Sequence, residues 1–403
     1  MKILNFLNVS NPSNLEADSG YIFQKLLMEE IANSVSWDFY FICPENTPLS
    51  HKKIKKIEII EPSNKFKVRF NFEWNKIVDT ILDIVNDIDL VLVNQPEQSS
   101  NMYALINSIS EKYVPIITYF HYLPVIPNNI QYHNFNNTLK ETFRFDNTLN
   151  RRGLGKVILQ RNSEAITVSK CSITCSNFSK KVIEKILLSE INLKHECLVI
   201  PPPVTTKLTG DLRKKHIHQS KQKILYNHRL YDEYGTEKII SFLKHFYSKV
   251  NKEFVLIVTD PTYGRSSERN RLDDNVTRFR KMLSETPFVE FVHCKTQREY
   301  FELIKDCDLG LGPMKPSAAW SMAVMDMMAC GKPVLCPNYA AFPEMVSNQE
   351  LLYSSEEEFS RKLNYFVGKK YENNISEFCR KQAQKFSIEN CAEKFIALFK
   401  SST

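Results

Sequence analysis

The sequence has no apolar run of the roughly 18 residues that would span a bilayer. Its N-terminal segment carries one Lys and a short apolar stretch and then turns polar without a small-residue cleavage site, so we interpret it as a first strand rather than a secretion signal. No G-x-G-x-x-G pattern follows this strand, which disfavours a Rossmann dehydrogenase. The lone C-x3-C pair, Cys171 and Cys175, has no second Cys/His pair at ligand spacing, which disfavours a zinc site. We therefore expect a soluble, cytoplasmic protein with reduced cysteines.

Length and composition indicate two globular domains. Hydrophobic residues make up 43% of the chain and charged residues 25%, which are globular values. A chain of 403 residues exceeds what one hydrophobic core usually organises. The letters PPPV and a polar, Lys/His-rich stretch occupy Pro201–Ser220 and have the composition of a linker. We predict an N-terminal domain over residues 1–203, a second domain over 221–385 and a final helical segment over 386–403.

Short apolar runs alternate with segments of helical spacing in both halves. Their apolar stretches are too continuous for a sheet with one solvated face, which favours parallel sheets covered by helices on both faces. We predict an α/β fold of two Rossmann-like, doubly wound domains facing a cleft, with the ligand outside the carboxyl ends of the strands. The strand candidates are Lys2–Leu7, Trp37–Cys43, Lys56–Ile60, Leu90–Asn94, Pro115–Phe120, Lys223–Asn227, Phe254–Thr259, Val289–Val292, Leu309–Leu311 and Val334–Cys336.

The segment Ser317–Leu335 has the most informative pattern. A loop of small residues enters a helix that carries Asp326, followed by the letters ACGKPV (329–334) and, a little later, PE (343–344). This order resembles the donor-binding segment of family-4 GT-B glycosyltransferases. Amides at a helix start can bind the pyrophosphate of a nucleotide-sugar, and a later carboxylate reaches the ribose hydroxyls. We assign the first role to Ser321, Met322 and Ala323 and the second to Asp326.

The chain departs from the family pattern at one carboxylate. The family usually has two glutamates with seven residues between them, whereas this chain has Ala318 at the first position and Asp326 at the second. A non-catalytic GT-B relative that binds nucleotides therefore stays an alternative. In this family the C-terminal segment also crosses back to the first domain, which we expect of the helical stretch Ile388–Phe399.

A second pattern, ILYNHRLYDEYGTEK, runs from a strand into a loop and a helix. Its Arg229 resembles the family Arg that holds the pyrophosphate, and its planar fork suits a bidentate phosphate contact. Tyr234 stands where the family has Lys before the Gly. One cation of the family pattern is therefore missing or is supplied from elsewhere in the chain, with Lys238 and Lys315 as the candidates.

Histidines follow strands at two further positions. His121 comes directly after a strand, where family members have a His beside the donor sugar, so we assign it a catalytic role together with Arg229 and Asp326. His293 lies where the family contacts the donor base. Ser19 and Gly20 resemble the Gly-containing loop near the phosphates.

The resemblance implies transfer from a UDP- or GDP-linked sugar with retention at the anomeric carbon, and it requires no cofactor. The sequence has two D-x-D patterns, Asp87–Asp89 and Asp306–Asp308, but each precedes a strand at its base rather than following it. We therefore expect no metal site.

The acceptor is predicted from charge and from a narrower resemblance. The net charge is +7, and basic residues cluster near 52–69 and 151–161. The NHR run Asn227–Arg229 and the YFH run Tyr119–His121 resemble the branch of family 4 that glycosylates modified bases in transfer RNA. A strand ending in His also resembles the phage enzymes that glucosylate hydroxymethylated DNA. We therefore hypothesise a nucleic-acid acceptor, and a surface polysaccharide or lipid-linked glycan is the alternative. The proposed acceptor contacts are Lys65, Lys67, Arg69, Arg151 and Arg152.

Overall fold

The structure, a computed structural model, describes residues 1–7, 15, 18–44, 47–59, 74–123, 125–127, 143–145, 155–184, 195–205, 221–259, 274–368 and 373–403. The chain divides into two compact units. Unit 1 comprises Met1–Pro124, Arg152–Pro203 and Ile388–Thr403, and unit 2 comprises Val125–Arg151 and Val204–Ser387. Within the described ranges, no helix has the length and apolar character needed to cross a membrane.

Strands are numbered here in chain order. They are β1 (Lys2–Phe6), β2 (Asp38–Pro44), β3 (Ile54–Ile59), β4 (Leu90–Val93), β5 (Ile116–Phe120), β6 (Val125–Pro127), β7 (Phe143–Phe145), β8 (Cys171–Thr174), β9 (Cys197–Val199), β10 (Gln222–Tyr226), β11 (Phe254–Thr259), β12 (Val289–Val292), β13 (Leu309–Leu311), β14 (Val334–Pro337) and β15 (Leu352–Tyr353).

The helices are numbered in the same way. They are α1 (Ser19–Ser34), α2 (Trp74–Ile81), α3 (Ser99–Ile109), α4 (Gly155–Val168), α5 (Asn177–Ile183), α6 (Thr236–Lys249), α7 (Asp274–Ser284), α8 (Gln297–Asp306), α9 (Met322–Ala329), α10 (Phe342–Val346), α11 (Glu356–Gly368), α12 (Asn373–Gln384) and α13 (Ile388–Ser402).

Each unit is built on one large parallel sheet. Unit 1 has the strand order β3-β2-β1-β4-β5-β8-β9, and unit 2 has the order β12-β11-β10-β13-β14-β15. Every pairing in these two sheets is parallel. The predicted α/β class with two parallel-sheet domains is confirmed, and the predicted strands are found within two residues of their expected ends. The continuous apolar runs have the expected cause, because strands such as β4 and β5 are buried along their whole length.

The last helix, α13, packs within unit 1 against α1 and the end of β5. The Phe395 ring lies 6.5 Å from Phe23 and 6.0 Å from Tyr119 between ring centroids. The Cys391 thiol approaches the Pro201 carbonyl at 3.4 Å. These contacts place the chain end in the core of the unit that contains the chain start.

The two D-x-D patterns have the same structural role in the two units. In unit 1, Asp89 Oδ2 accepts the backbone N–H of Lys2 at 2.9 Å, and Asp87 pairs with the Lys2 ammonium at 2.6 Å. In unit 2, Asp308 Oδ2 accepts the backbone N–H of Lys223 at 3.0 Å, and Asp306 pairs with the Lys223 ammonium at 2.5 Å.

Both acidic pairs thus fasten the amino end of the first strand of their own sheet. They lie at the strand edge opposite to the one where parallel sheets bind ligands.

The ten cysteines are free thiols, and Cys294 alone among them is not fully buried, as the sequence predicted. Burial raises the pKa of the Cys171 thiol to about 12, so it is neutral near pH 7. Among the described residues, no group of three or more His, Cys, Asp and Glu side chains could hold a metal ion.

Candidate functional site

The candidate site in unit 2 forms where β10 and β13 end side by side. The two strands pair in register through Ile224 with Leu309 and Leu225 with Gly310. The loop after β10 is bonded to the end of β13, because His228 Nε2 lies 2.9 Å from the Leu311 carbonyl oxygen. Burial lowers the pKa of His228 to about 4, so its imidazole is neutral and Nε2 carries the hydrogen donated to the carbonyl. The loop that follows β10 is thereby held against the end of β13.

The loop between β10 and α6 packs directly on the loop after β13. Gly235 has φ +63°, and a Cβ built on it would lie 2.6 Å from Met314 Cβ. The backbone N–H of Met314 donates to the Tyr234 carbonyl at 2.9 Å. A glycine is needed here both for the left-handed conformation and for the close approach of the second loop.

The contact between the two loops brings Lys315 to Tyr234, the residue that stands where the family pattern has Lys. Lys315 Nζ lies 4.6 Å from the centroid of the Tyr234 ring, within the distance of a cation–π contact. An ammonium group from the β13 loop therefore occupies the neighbourhood of Tyr234. Both residues are half-buried.

Lys238 lies on a different flank of the same region. It is on α6, where its Nζ lies 5.9 Å from the Phe242 ring centroid. Burial lowers the pKa of Lys238, and Glu356 at the start of α11 opposes that effect. These contacts place Lys238 on the face of α6 that packs on α11, where Phe242 meets Phe359 at 5.6 Å between ring centroids.

Arg229 is half-buried and lies three residues beyond the end of β10. Its carbonyl oxygen accepts the N–H of Tyr231 at 3.0 Å, a local turn that leads into the 3-10 segment Asp232–Tyr234. A parallel strand delivers its following residues to the ligand edge of the sheet. Arg229 is thus placed at that edge by the course of the backbone.

Helix α9 begins at the same edge of the sheet. Ser321 is its N-cap, and the Ser321 hydroxyl oxygen accepts the N–H of Val324 at 3.4 Å. The N–H groups of the first turn have no carbonyl one turn earlier to donate to, and the helix dipole makes this end positive. The predicted amides of Ser321, Met322 and Ala323 lie at this helix start, and their contact with a phosphate group stays a prediction.

Asp326 is the only charged residue in α9, whose other seven residues are apolar. Its carboxyl Oδ2 accepts the Tyr300 hydroxyl at 3.2 Å, and the Tyr300 oxygen accepts Asn227 Nδ2 at 2.7 Å. Burial raises the pKa of Asp326 to about 7, against the lowering effect of the Tyr300 hydrogen bond. A carboxylate with so little solvation gains most from a ligand that donates hydrogen bonds to it.

Tyr300 is the contact that sequence reasoning did not find. It lies on α8, and the predicted segment around Asp326 contains no pattern that points to it. Asn227 was part of the predicted NHR run, but its bond to Tyr300 joins residues separated by 73 positions. Only the packing of α8 beside α9 brings the three side chains together.

His293 directly follows β12 and is exposed. Two strands separate β12 from β13 in the sheet order, namely β11 and β10. His293 therefore shares the carboxyl edge of the unit 2 sheet with Arg229, and its contact with a donor base stays a prediction.

The candidates of unit 1 lie after β5 and at the start of α1. The His121 ring packs 4.6 Å from Phe23 in an edge arrangement and 4.4 Å from Tyr119. Its Nε2 atom is buried and has no hydrogen-bond partner among the residues that the structure describes. Burial lowers the pKa of His121 to about 3, so the ring is neutral near pH 7 and can exchange a hydrogen bond but not a charge.

Ser19 is exposed and Gly20 is half-buried at the first turn of α1. The N-cap of this helix is the preceding residue, Asp18, whose Oδ1 accepts the N–H of Tyr21 at 2.9 Å. The carboxylate of Asp18 therefore occupies the helix end at which the sequence predicted a phosphate contact, and the phosphate role of Ser19 and Gly20 stays a prediction.

The five predicted acceptor contacts, Lys65, Lys67, Arg69, Arg151 and Arg152, lie outside the described residues. Neighbouring basic residues that are described have protein partners. The Lys53 ammonium donates to the Ala32 carbonyl at 2.7 Å, and Arg161 pairs with Glu164 at 2.9 Å.

Comparisons with known proteins concern the fold and the type of enzyme. Residues 209–386 match the family model of glycosyl transferases group 1. The chain is similar in structure to sucrose-phosphate synthase from Thermosynechococcus elongatus, with a TM-score of 0.71 at 15% identity over 100% of this chain and 99% of that one. A glycosyltransferase from Rickettsia africae gives 0.65 at 15% identity over 99% and 98% of the two chains.

HepE from Anabaena in complex with UDP-glucose gives a TM-score of 0.65 at 14% identity over 100% of both chains. A search of curated proteins found no match. At these identities the structural similarity establishes the fold, and the family model establishes the type of enzyme. Residues 209–386 therefore form a glycosyl transferases group 1 domain, and the protein is a glycosyltransferase with the two-domain GT-B fold.

Proposed function

We propose that this glycosyltransferase uses a UDP-sugar donor bound at the carboxyl ends of β10 and β13. One observation carries the proposal: the segments that follow the paired strands β10 and β13 contribute Arg229, Lys315 and the positive end of α9, and α9 carries the Asp326 carboxylate. Two cations and a helix start suit a diphosphate, and a poorly solvated carboxylate suits a ribose diol. The Anabaena HepE complex with UDP-glucose supports UDP as the nucleotide.

The chemistry needs charge stabilisation of the departing diphosphate. The negative charge on the diphosphate grows as the bond from the anomeric carbon to the phosphate oxygen breaks. Fixed cations and amides that meet this charge lower the barrier, because they are already oriented before the bond breaks. We propose that the transfer retains the anomeric configuration and needs no metal ion. Arg229 and Lys315 would neutralise the charge on the diphosphate that a metal ion neutralises in other enzymes.

For Lys315 we expect the Lys315→Ala variant to raise the KM for UDP-sugar about tenfold, the effect of losing one charge-assisted contact of about 1.4 kcal/mol. Steady-state kinetics at varied donor concentration would measure it. Lys238→Ala tests the competing candidate, and Lys244→Ala on the exposed face of α6 is the matched control. A larger KM increase in Lys238→Ala than in Lys315→Ala would assign the second cation to Lys238.

For the acceptor we propose a modified, hydroxymethylated base in nucleic acid. The net charge of +7 and the basic stretches near 52–69 and 151–161 support it, because phosphate backbones bind clustered cations. A surface polysaccharide or lipid-linked glycan is the competing acceptor.

One experiment tests donor and acceptor together. The purified protein is incubated with a pool of UDP- and GDP-sugars and, in parallel, with hydroxymethylated duplex DNA, bulk transfer RNA or a lipid-linked glycan, and digested products are weighed by mass spectrometry. We expect a hexose or pentose mass on a nucleoside, with UDP released in equal amount. Transfer to the glycan alone would overturn the nucleic-acid acceptor.

Failure to consume any nucleotide-sugar, in every acceptor mixture, would instead favour the non-catalytic alternative. The Arg229→Ala variant, processed in parallel, shows whether released UDP comes from this site.

A further inference from the structure

Three side chains from three elements form one continuous chain of hydrogen bonds beside α9. Asn227 follows β10, Tyr300 lies on α8 and Asp326 lies on α9. Asn227 Nδ2 lies 2.7 Å from the Tyr300 hydroxyl oxygen, which lies 3.2 Å from Asp326 Oδ2. The hydroxyl therefore links the amide to the carboxyl group.

The chemistry of Asn227 and Asp326 fixes which group donates in each of the two hydrogen bonds. An amide nitrogen only donates hydrogen bonds, and Asn227 Nδ2 also faces the Ala323 carbonyl oxygen at 3.5 Å, a group that only accepts. The Tyr300 oxygen thus receives a hydrogen from Asn227, and its own hydrogen is left to point at Asp326. This direction matches an ionised carboxylate, since a protonated carboxyl group would have its own hydrogen to place.

Tyr300 stays protonated in this role. Burial and the neighbouring Asp326 charge raise the pKa of the Tyr300 hydroxyl well above its ordinary value. It remains a hydrogen donor throughout the range in which a carboxyl group titrates.

Other titratable groups around Asp326 do not replace this contact. Cys330 lies one turn further along α9, and burial raises the pKa of its thiol to about 12, so it is neutral near pH 7. The cations nearby, Lys305, Lys332 and Arg380, act on Cys330. The Lys332 ammonium is bound to the Lys305 and Cys307 carbonyls, and the Arg380 guanidinium packs over Gly331.

We propose that Tyr300 is a positioning residue of the donor site, which keeps the Asp326 carboxylate ionised and oriented to receive the ribose hydroxyls of the nucleotide. The inference rests on the proposed donor site, because it assigns the ribose to Asp326. Burial opposes ionisation of Asp326 and raises its pKa to about 7. Ribose hydroxyls that donate to the carboxylate favour its ionised form, so donor binding should release a proton from the protein.

Calorimetric titration with UDP-glucose tests this coupling, because its diphosphate has no group that titrates near neutral pH. Titrations in two buffers of different ionisation enthalpy give the number of protons released. For the wild type we expect release of roughly half a proton at pH 7.0, where Asp326 is about half protonated, and almost none at pH 8.5. Tyr300→Phe should release closer to one proton at pH 7.0.

The affinity should follow the same pattern. Tyr300→Phe should weaken UDP-glucose binding roughly threefold to tenfold at pH 7.0, the range for one lost hydrogen bond, and most of this loss should disappear at pH 8.5, where Asp326 is ionised without help. Asn227→Ala should also increase proton release and weaken UDP-glucose binding at pH 7.0, each by a smaller amount than Tyr300→Phe. A merely structural role for Tyr300 would weaken binding equally at both pH values. Tyr365→Phe, an exposed tyrosine of α11, is the matched control.

The outcomes distinguish the positioning role of Tyr300 from the assignment of the ribose to Asp326. If Asp326→Asn abolishes proton release but Tyr300→Phe titrates like the wild type, the positioning role of Tyr300 is wrong and the donor site stands. If Asp326→Asn binds UDP-glucose as tightly as the wild type, or if the wild type does not bind it, the assignment of the ribose to Asp326 is overturned and the inference falls with it.

Discussion

Replacing Arg229 by Ala should lower kcat/KM for sugar transfer by about 10²–10³-fold, equivalent to about 3–4 kcal/mol of lost stabilisation. Arg229 follows β10 at the ligand edge of the unit 2 sheet, where we propose that the diphosphate departs. Charge on that group is larger in the transition state than in the bound donor, so kcat should fall more than the KM rises. Rapid-quench measurement of the first turnover would isolate the chemical step.

Arg229→Lys gives a sharper test of the same role. It keeps the positive charge but loses the planar fork, so we expect a rate between those of the wild type and Arg229→Ala. Arg298→Ala, which removes an exposed arginine of α8 whose side chain is 85% accessible, is the matched control and should leave kcat unchanged. An Arg229→Ala enzyme with wild-type kcat would remove this residue from the leaving-group contacts.

Asp326→Asn should weaken binding of UDP-sugar by about tenfold to a hundredfold and at the same time make the protein more stable at pH 8. The first effect is the loss of charge-assisted hydrogen bonds of about 1.5–3 kcal/mol. The second follows from the pKa of about 7 that burial imposes on Asp326, above its ordinary value of 3.8. Affinity and stability are thus expected to change in opposite directions.

The sign of the pH dependence follows from proton linkage. Between pH 4 and 7, taken roughly, the folded protein binds more protons at Asp326 than the unfolded chain does, so stability falls as pH rises through that window. Below roughly pH 4, Asp326 is protonated in both the folded and the unfolded state, so the Asn variant gains no stability. Above roughly pH 7, the folded wild type bears the full cost of a charge in a poorly solvated position, and the Asn variant does not.

Thermal unfolding at pH 4 and pH 8 measures this difference. A gain of 1 kcal/mol corresponds to about 2–4 °C in a domain of this size. Asp306→Asn, which removes the exposed partner of Lys223 at the opposite end of the sheet, controls for loss of a surface carboxylate and should change nucleotide binding little. Equal melting shifts for Asp326→Asn at the two pH values would contradict the assigned pKa.

Sequence reasoning predicted most of the strands because a strand that is buried on both faces requires a run of apolar residues. β11 and β13 were predicted at their observed ends, and α9 begins one residue after Ser321, which the sequence placed at the helix start. Both signals are local: a buried strand needs apolar residues throughout, and a helix start needs a side chain that accepts an N–H two or three residues later.

The structural role of the D-x-D patterns could not be predicted from neighbouring residues. Their spacing resembles a metal motif, and only their position before a strand disfavoured a metal site. The structure gives them a common purpose, since Asp89 and Asp308 receive the backbone N–H of Lys2 and Lys223 in the two units. Those partners are more than eighty positions away in the chain, so no window of sequence contains them.

By itself, the sequence determined the α/β class, the parallel sheets and the candidate residues Arg229 and Asp326, because each depends on a pattern contained in a few neighbouring positions. Only the tertiary structure decided that Lys315 faces Tyr234 and that Tyr300 joins Asn227 to Asp326. These contacts depend on the paths of loops and on the packing of α8 beside α9. Side chains from separate elements meet only after the sheet has set the order of its strands.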